Sequence, residues 1–466
     1  MDIIKKGLSS VIYNLLGASV GLFTQFYAAK VLGVVEFGEF NYFMGIANSI
    51  ALIFSFGISF YFPKIFQVTY DKKKLFSQFF YSFVIIFLVF FPICFILMKP
   101  NIDDNNDIFL LVTICFLIIS IGYYRAFLIG VNKAHVSAKV NNFLLKLFVL
   151  VVFVIIYNFY DKSSHSLIYA VLICNLIILI PFLKNTLTKV RPSFSFIKGS
   201  ILFYLIQLLY SFFNEYSKVL QSDLFNYEAV SYLSIALLLG QVLVIFGQNF
   251  ANVSLPTFAK AYIDKDFDLM AYTFRSATRI NAYFLIPVFS FFFLNSEFIL
   301  SLIGENYVKG SLMLKFILCG TFIGSIVGPN GSVLLMTNKG MYELVNGILK
   351  ISIVILVLVF YAQNFIWGIA FSIAISEILI NLVKSFELYY LYRIFPFNKK
   401  EGLYLLFIFI LSFFIFYLIS NCINGSINII AFNFFVGFSL LFLSFYFSPN
   451  SYDRVFLMKT IKLKVK

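Results

Sequence analysis

The 466-residue sequence has few residues of the kinds that carry catalytic or metal chemistry. It contains two histidines, one tryptophan and five cysteines, and charged residues make up 12% of the chain. The cysteines, at positions 94, 115, 174, 319 and 422, have no spacing typical of a metal site or a disulfide framework. No Gly-Lys-Ser/Thr loop that would cradle a nucleotide phosphate is present. These absences exclude an ATP-driven pump within the chain, and we expect no cofactor and no metal site.

The sequence also has no stretch that could fold as a soluble domain. Hydrophobic residues make up 61% of the chain, 64 residues are phenylalanine and the mean hydropathy is +0.94. The longest polar loop, at 259–279, is mixed in charge and has only about 20 residues, far fewer than a domain needs. A membrane-embedded polymerase or glycosyltransferase would need a larger loop with clustered catalytic residues. We therefore expect a protein that is not an enzyme.

Long apolar stretches fill the chain instead. There are about fourteen, and each is long enough to cross a hydrocarbon core about 30 Å thick at 1.5 Å per helical residue. They continue through the whole length, so the first does not resemble a removable signal peptide. The sequence predicts an all-α integral membrane protein with about 14 transmembrane helices.

The distribution of lysine and arginine predicts the orientation. With the N-terminus in the cytoplasm, the cytoplasmic loops and the two termini hold 25 of the 35 basic residues, and the opposite loops hold four: Lys30, Lys99, Lys162 and Lys309. Basic loops stay on the cytoplasmic side during insertion. Both termini are therefore predicted to be cytoplasmic. The net charge of +14 reflects this topology and not a nucleic-acid-binding face, which would gather its cations on one soluble surface.

Weak internal repeats predict how the spans are organised. Lys-Val-Leu at 30–32 recurs at 218–220, and Asn-Lys at 132–133 recurs at 338–339. Spans 1 to 6 then match spans 7 to 12 in the same orientation, with the cargo held between two parallel repeats. We predict an N-terminal six-helix lobe at 1–190 and a C-terminal six-helix lobe at 191–395. Residues 396–466 would add two further helices and a basic cytoplasmic tail.

Polar residues recur at helical spacing in four of the spans, which are corresponding pairs of the repeat. A polar stripe in hydrocarbon either lines a wet cavity or mediates helix packing, and the sequence leaves both open. Span 1 carries Asn14 and Gln25, span 2 carries Asn48, span 7 carries Gln207, Ser211, Asn214 and Lys218, and span 8 carries Gln241, Gln248 and Asn252. A shared substrate cavity lined by these spans accounts for all of the stripes.

Six basic residues lie at apparent membrane depth: Arg125, Lys146, Lys218, Lys315, Lys350 and Lys384. Lys146 and Lys350 occupy matching repeat positions and are candidates for binding an anionic substrate. Lys30 and Lys218 are further candidates, although a lysine at a helix end can also snorkel to the interface. Arg125 and Lys384 lie near the inner interface, where we expect them to snorkel.

Two acidic residues are candidates for ion coupling. Glu215 lies one turn before Lys218, with which it could instead form an intrahelical pair. Glu377 lies in the middle of span 12, where it could bind a coupling ion or neutralise a neighbouring lysine.

Several short motifs, in order along the chain, resemble bacterial polysaccharide flippases. The motifs are Asn-Leu-Leu-Gly at 14–17, Lys-Val-Leu-Gly at 30–33, Glu-Phe-Gly at 36–38, and the segments 227–232, 306–308 and 328–340. The family lies in the multidrug/oligosaccharidyl-lipid/polysaccharide exporter superfamily. The resemblance is to its O-antigen and capsule repeat-unit transporters. The lipid II branch carries several arginines in its cavity-lining spans, whereas the first two spans here have none.

The resemblance implies two six-helix lobes in a V around a central cavity, plus two C-terminal helices. It implies a flippase of the bacterial inner membrane that moves an undecaprenyl-diphosphate-linked oligosaccharide from the cytoplasmic to the outer leaflet, with no nucleic-acid partner. A polysaccharide polymerase and a chain-length regulator are then the expected protein partners. An ion-coupled multidrug or small-molecule exporter of the same superfamily is the alternative.

Overall fold

The computed structural model describes residues 2–66, 70–98, 105–131, 133–194, 196–209 and 213–422, with parts of 436–449. Helices and their connections account for all of these residues, and no strand occurs in these ranges. Ten of the described helical segments are long and apolar enough to cross a membrane. The predicted all-α membrane fold is confirmed.

The first unit of the chain contains nine complete helices within the described residues. They are α1 (Asp2–Ile53), α2 (Ile58–Ile65), α3 (Lys72–Met98), α4 (Asn105–Gly130), α5 (Ala134–Ser137), α6 (Leu145–Phe159), α7 (His165–Thr186), α8 (Phe196–Gln207) and α9 (Phe213–Leu224). A π-helix, Ala138–Leu144, joins α5 to α6. Helix α10 (Tyr227–Ile263) begins in this unit and continues into the second.

The remaining helices belong to the second unit. They are α11 (Phe267–Leu294), α12 (Ser296–Ile303), α13 (Ser311–Ile326), α14 (Asn330–Met336), α15 (Gly340–Val357), α16 (Gly368–Tyr392) and α17 (Lys399–Cys422). A 3₁₀-helix, Glu305–Gly310, precedes α13, and a π-helix, Leu358–Ala362, ends α15. Most of the predicted span 427–448 and the basic tail lie outside the described residues.

The first two predicted spans form one long helix with a sharp break. The break lies at Gly33, which has φ 79° inside α1. A side chain is rarely tolerated at such a φ, and no atom would obstruct a Cβ here, so the backbone conformation rather than packing requires glycine. The helix ends at Ile53, before Phe56 and Gly57, both with positive φ. The predicted span 2 is therefore divided between α1 and α2.

The chain divides into two compact units, Met1–Ser234 and Ile235–Lys466. In the first, α1 packs on α4, on α6 with its preceding π-helix, and on α9, while α2 packs on α4 and α8. The unit therefore includes α8 and α9, which the repeat assigns to the second lobe. The division into lobes at 190/191 stays a prediction about evolutionary repeats, whereas the compact unit extends to Ser234.

The second unit is built on α16, which packs on α13 and α15. Helix α17 packs on α11, and an ion pair joins them: Arg279 Nη1 lies 2.5 Å from Glu401 Oε1. Both side chains are buried. A buried cation needs such a partner because leaving it uncompensated costs several kcal/mol, roughly 3 to 5. The ion pair therefore holds α17, the first of the two further helices predicted after residue 395, against α11 of the second unit.

Candidate functional site

In the first unit, the second half of α1 packs closely along α9 and the start of α10. A Cβ on Gly38 would overlap the backbone carbonyl of Tyr227, and Ser231 Oγ donates a hydrogen bond of 2.5 Å to the Val34 carbonyl. The rings of Tyr42 and Tyr227 lie 5.5 Å apart. We call the contacts of residues 34–48 with 213–231 the seam.

A polar cluster lies within the seam. Glu215 Oε2 accepts hydrogen bonds from Lys218 Nζ at 3.0 Å and from Asn48 Nδ2 at 3.2 Å. Gly45 makes room for this cluster, because a Cβ there would lie 3.1 Å from the Glu215 carbonyl. The intrahelical pair of Glu215 and Lys218 is thus formed, and Asn48 ties it to α1. Three of the predicted site residues meet here.

The first half of α1 presents a stripe of small and polar residues, Asn14, Gly17 and Gly21, to α6 and the preceding π-helix. Asn142 Nδ2 donates to Asn14 Oδ1 at 2.6 Å, and Gly17 packs against the Asn142 backbone. A Cβ on Gly21 would lie 3.0 Å from Lys146 Nζ. At Asn14 and Gly17 the stripe therefore serves helix packing, which was one of the two alternatives, while Gly21 gives the Lys146 side chain its space.

A cavity of about 180 Å³ lies within the second unit, among α10, α11, α13 and α16. Gln248, Asn281, Thr321 and Glu377 are among its lining residues. Asn281 Nδ2 donates to the Ser325 carbonyl at 2.8 Å, and its buried Oδ1 has no partner among the described residues. Buried amide oxygens are normally hydrogen-bonded. The Asn281 Oδ1 is therefore an acceptor to which a ligand or a water molecule in the cavity could donate.

Glu377 in this cavity is paired with Lys350. Lys350 Nζ lies 2.6 Å from Glu377 Oε2, and Asn381 Nδ2 donates to Glu377 Oε1 at 3.1 Å. Gly324 on α13 leaves room for the carboxylate, because a Cβ there would lie 3.1 Å from Oε1. Of the two roles that the sequence left open for Glu377, neutralising a lysine is the one that this geometry provides.

A second ion pair joins the same two helices. Lys384 Nζ lies 3.0 Å from Glu343 Oε2, and both side chains are almost fully buried. Asn346 Nδ2 donates to Glu387 Oε2 at 2.7 Å one turn further along. The expectation that Lys384 snorkels to the inner interface is therefore wrong, because a carboxylate holds it inside the unit.

The remaining predicted site residues are not brought into these clusters. Lys30 is exposed three residues before the Gly33 break, and Gln25 is half-buried on α1. Gln241 is exposed on α10, two turns before Gln248. The side chain of Asn252 lies outside the described residues.

Sequence reasoning missed Asn281, whose unpartnered oxygen is the most distinctive polar group of the cavity. It follows Arg279, in a stretch that reads as the cytoplasmic start of span 9. No pattern in the surrounding sequence marks this asparagine as a cavity-lining residue. The ion pairs of Lys350 and Lys384 had a weak sequence signal. Glu343 and Lys350 lie two turns apart on one face of α15, and Glu377 and Lys384 lie two turns apart on one face of α16, so each helix offers one acid and one base to the other.

Comparison with known proteins gives the fold a context. No family model matches the sequence, and no curated protein does. Among solved structures, a lipid II flippase, MurJ, in an inward closed conformation, is similar with a TM-score of 0.75 and 16% identity. The similarity covers 94% of this chain and 98% of that one.

Multidrug resistance transporters of the MATE family are also similar. An inward-facing and an outward-facing structure have TM-scores of 0.56 and 0.54, with 14% and 15% identity. The similarity covers 80% and 82% of this chain, and 92% and 94% of the transporters. The chain is therefore a multi-pass membrane protein whose fold is similar to that of MurJ and of these transporters.

Proposed function

We propose that the protein is a flippase for an undecaprenyl-diphosphate-linked oligosaccharide repeat unit. It moves this substrate from the cytoplasmic to the outer leaflet of a bacterial inner membrane by alternating access, for O-antigen or capsular polysaccharide synthesis. A polymerase and a chain-length regulator would act on the product. The fold shared with a lipid II flippase supports the class of activity.

The observation that carries the proposal is the environment of Lys146. It lies at membrane depth against Gly21, is exposed, and has no carboxylate partner among the described residues. A lysine inside the hydrocarbon core costs up to about 3 kcal/mol, depending on its depth, unless its charge is compensated. A diphosphate is an anion that would supply this compensation during transport.

The oligosaccharide part of the substrate needs hydrogen-bonding partners, and amide side chains of α10 and α11 can supply them. Sugars need hydrogen-bonding partners, and Gln248 and Asn281 line the cavity of the second unit. We assign sugar hydroxyls to Gln241, Gln248 and Asn252, as the polar stripe of span 8 predicts, and add Asn281.

Lys350 would meet the diphosphate by leaving Glu377. In this structure the carboxylate of Glu377 lies 2.6 Å from the ammonium group and neutralises it. An arriving diphosphate carries more negative charge than a carboxylate and competes for the ammonium group. Lys218 has the corresponding relation to Glu215. The two carboxylates then act as internal counterions that are exchanged for substrate.

An ion-coupled exporter of small molecules is the second candidate. The observation that favours it is Glu377, a carboxylate that lines the cavity and could exchange Lys350 for a proton or a cation. The fold shared with multidrug transporters supports this class equally. An exporter would move organic cations and would not restore a polysaccharide.

The proposed orientation is tested by cysteine labelling. In a cysteine-free background, a membrane-impermeant maleimide added to intact spheroplasts should label a cysteine at Asn106 and miss one at Lys265, because the basic loops are cytoplasmic. Both positions are exposed, so access depends on the side of the membrane. The reverse labelling pattern would overturn the orientation.

The function itself is tested in a strain that lacks its own repeat-unit flippase. Expression of the chain with a matching glycosyltransferase set should restore surface polysaccharide. Normal membrane abundance with accumulation of lipid-linked repeat units on the inner leaflet would refute the proposal. Resistance to organic cations without polysaccharide would favour the exporter.

A further inference from the structure

The cavity of the second unit has room for one small ring. Its volume is about 180 Å³, and an engineered apolar cavity of about 150 Å³ in another protein holds one benzene molecule. That apolar cavity excludes water, whereas amide, hydroxyl and carboxylate groups line this one. A pyranose sugar matches both properties, because it is a six-membered ring that carries polar groups. A whole oligosaccharide would not fit, so the cavity holds a single sugar residue.

The polar groups that line the cavity are mainly hydrogen-bond acceptors. Asn281 Nδ2 donates to the Ser325 carbonyl at 2.8 Å, and because a carbonyl can only accept, this bond fixes which end of the amide is the oxygen. The Oδ1 is left buried without a partner among the described residues. Thr321 Oγ1 donates its hydrogen to the Ile317 carbonyl at 2.8 Å, so it can only accept from a ligand. The carboxylate of Glu377 is a further acceptor. A ligand that suits this lining is rich in donors.

The lining carries no positive charge. Lysine and arginine are absent from the described residues that line the cavity, and Lys350, which pairs with Glu377, does not line it either. A sugar carboxylate would meet acceptors and no cation, so its own charge would be left unpaired in a partly buried place. A hydroxyl at the same position of the ring would donate to one of the acceptors. The lining thus distinguishes a neutral sugar from a uronic acid.

Gly247 keeps the cavity open beside Asn281. A Cβ there would lie 3.4 Å from Asn281 Nδ2, which is an ordinary contact, and the residue lies within the helix α10. Neither packing nor backbone conformation requires glycine, although glycine destabilises a helix relative to alanine. Gly240 on the same helix differs, because a Cβ there would lie 2.6 Å from the Ile317 side chain. What Gly247 supplies is the volume that a methyl group would take from the cavity.

We propose that this cavity is a recognition site for one neutral pyranose residue of the transported oligosaccharide and that it discriminates against uronic acids. Hydroxyl groups of the ring donate to Asn281 Oδ1, Thr321 Oγ1 and the Glu377 carboxylate. Gln248, the exposed member of the lining, adds a side chain that can both donate and accept. The inference rests on the proposed flippase function and adds to it the class of sugar and the residues that select it.

The test compares two soluble glycosides that differ at one carbon. Methyl glucopyranoside carries a hydroxymethyl group where methyl glucuronopyranoside carries a carboxylate. Their binding to the purified full-length chain in nanodiscs is measured by titration with saturation-transfer NMR. The neutral glycoside should bind about tenfold more tightly, because only its hydroxyl can donate to the lining. Equal or tighter binding of the glucuronopyranoside, or no binding of the neutral glycoside, would overturn the proposal.

Three variants locate the binding in this cavity. Asn281→Leu removes the unpartnered acceptor and should weaken binding of the neutral glycoside about 2- to 10-fold. Gly247→Ala adds a methyl group without a clash and should weaken this binding at least about fivefold, because the ring and the methyl group compete for the same space. Gln248→Lys adds a cation to the lining and should shift the preference towards the glucuronopyranoside.

Two variants in the first unit are the matched controls. Asn175→Leu removes a buried amide from α7, and Gly122→Ala adds a methyl group to a helical glycine with open space around it. Both should bind the glycosides as the unmodified protein does. If Asn281→Leu does not fold, Gly247→Ala decides. Unchanged binding of the neutral glycoside by Gly247→Ala would then overturn the proposal.

Tetramethylammonium separates a sugar site from a site for organic cations. Glu377 would attract such a cation, which has no hydroxyl to donate to Asn281. If tetramethylammonium binds more tightly than the neutral glycoside and Gly247→Ala abolishes its binding, the cavity takes a cation and the assignment to a sugar is wrong. Weaker binding that Gly247→Ala leaves unchanged supports the assignment.

The recognition site and the flippase function fail in distinguishable ways. If Asn281→Leu and Gly247→Ala lose the neutral glycoside but the unmodified protein moves no lipid-linked oligosaccharide, the site stands and the transport function is wrong. If the protein moves the oligosaccharide and both variants bind the glycoside and transport normally, the function stands and the recognition site is wrong.

Discussion

Gly38→Ala should reduce transport to near background and leave the seam open. The added Cβ would overlap the backbone carbonyl of Tyr227, and a backbone atom cannot move aside as the end of a side chain can. Overpacking of this kind costs about 1 to 3 kcal/mol, which shifts an open-closed equilibrium about 5- to 150-fold. We expect the seam to close one side of the proposed transporter, and a seam held open in this way would stop its alternation.

Labelling of a cysteine within the seam measures this opening. Ser231 is fully buried there, and cysteine replaces serine with little change in shape. In a cysteine-free background, a maleimide should label Ser231→Cys slowly, and Gly38→Ala should raise the rate. Gly122→Ala is the matched control, because no atom lies within 4 Å of a Cβ at that helical glycine. Unchanged labelling and transport in Gly38→Ala would show that the seam does not have to close.

Neutralising both Lys350 and Glu377 should give a stable protein that does not transport. Either single change to glutamine leaves a charge without its partner in a partly buried place. This should cost about 1 to 3 kcal/mol, less than for a fully buried pair. The double variant leaves no unpaired charge, so its thermal stability should recover. Its transport should not recover, because Lys350 is assigned to the diphosphate.

The pair Lys384 and Glu343 provides the control on the same two helices. It is more deeply buried, and neither residue lines the cavity. Its single glutamine variants should be destabilised at least as strongly, and its double variant should recover both stability and transport. Melting temperature and surface polysaccharide are measured for all six variants. Full transport by the Lys350→Gln/Glu377→Gln double variant would show that this pair is structural as well.

The sequence predicts the membrane fold well because the signal is physical and repeated. Each span needs about 20 apolar residues, so the helices are visible without knowledge of their packing. The interruptions are less predictable. The break at Gly33 and the positive φ of Phe56 and Gly57 depend on backbone conformations that a hydropathy pattern does not report. The connection between the first two predicted spans is a single non-helical residue in the structure.

The candidate site is predicted in composition but not in pairing. The sequence identifies Lys350, Glu377 and Lys384 as embedded charges, yet their pairing depends on the register of α15 against α16. Asn14 is a similar case, because its partner, Asn142, is 128 residues away. A stripe of small and polar residues has the same sequence pattern whether it packs against another helix or lines a cavity. Only tertiary contacts separate the two roles.

Reconstituted transport tests the central claim most directly. Purified protein is placed in vesicles that carry a fluorescent undecaprenyl-diphosphate-linked oligosaccharide, and its appearance in the opposite leaflet is followed with an impermeant quencher. The account predicts protein-dependent translocation that is lost in Gly38→Ala and retained in Gly122→Ala. Vesicles in which the oligosaccharide stays in its original leaflet, while an organic cation is moved under an ion gradient, would contradict it.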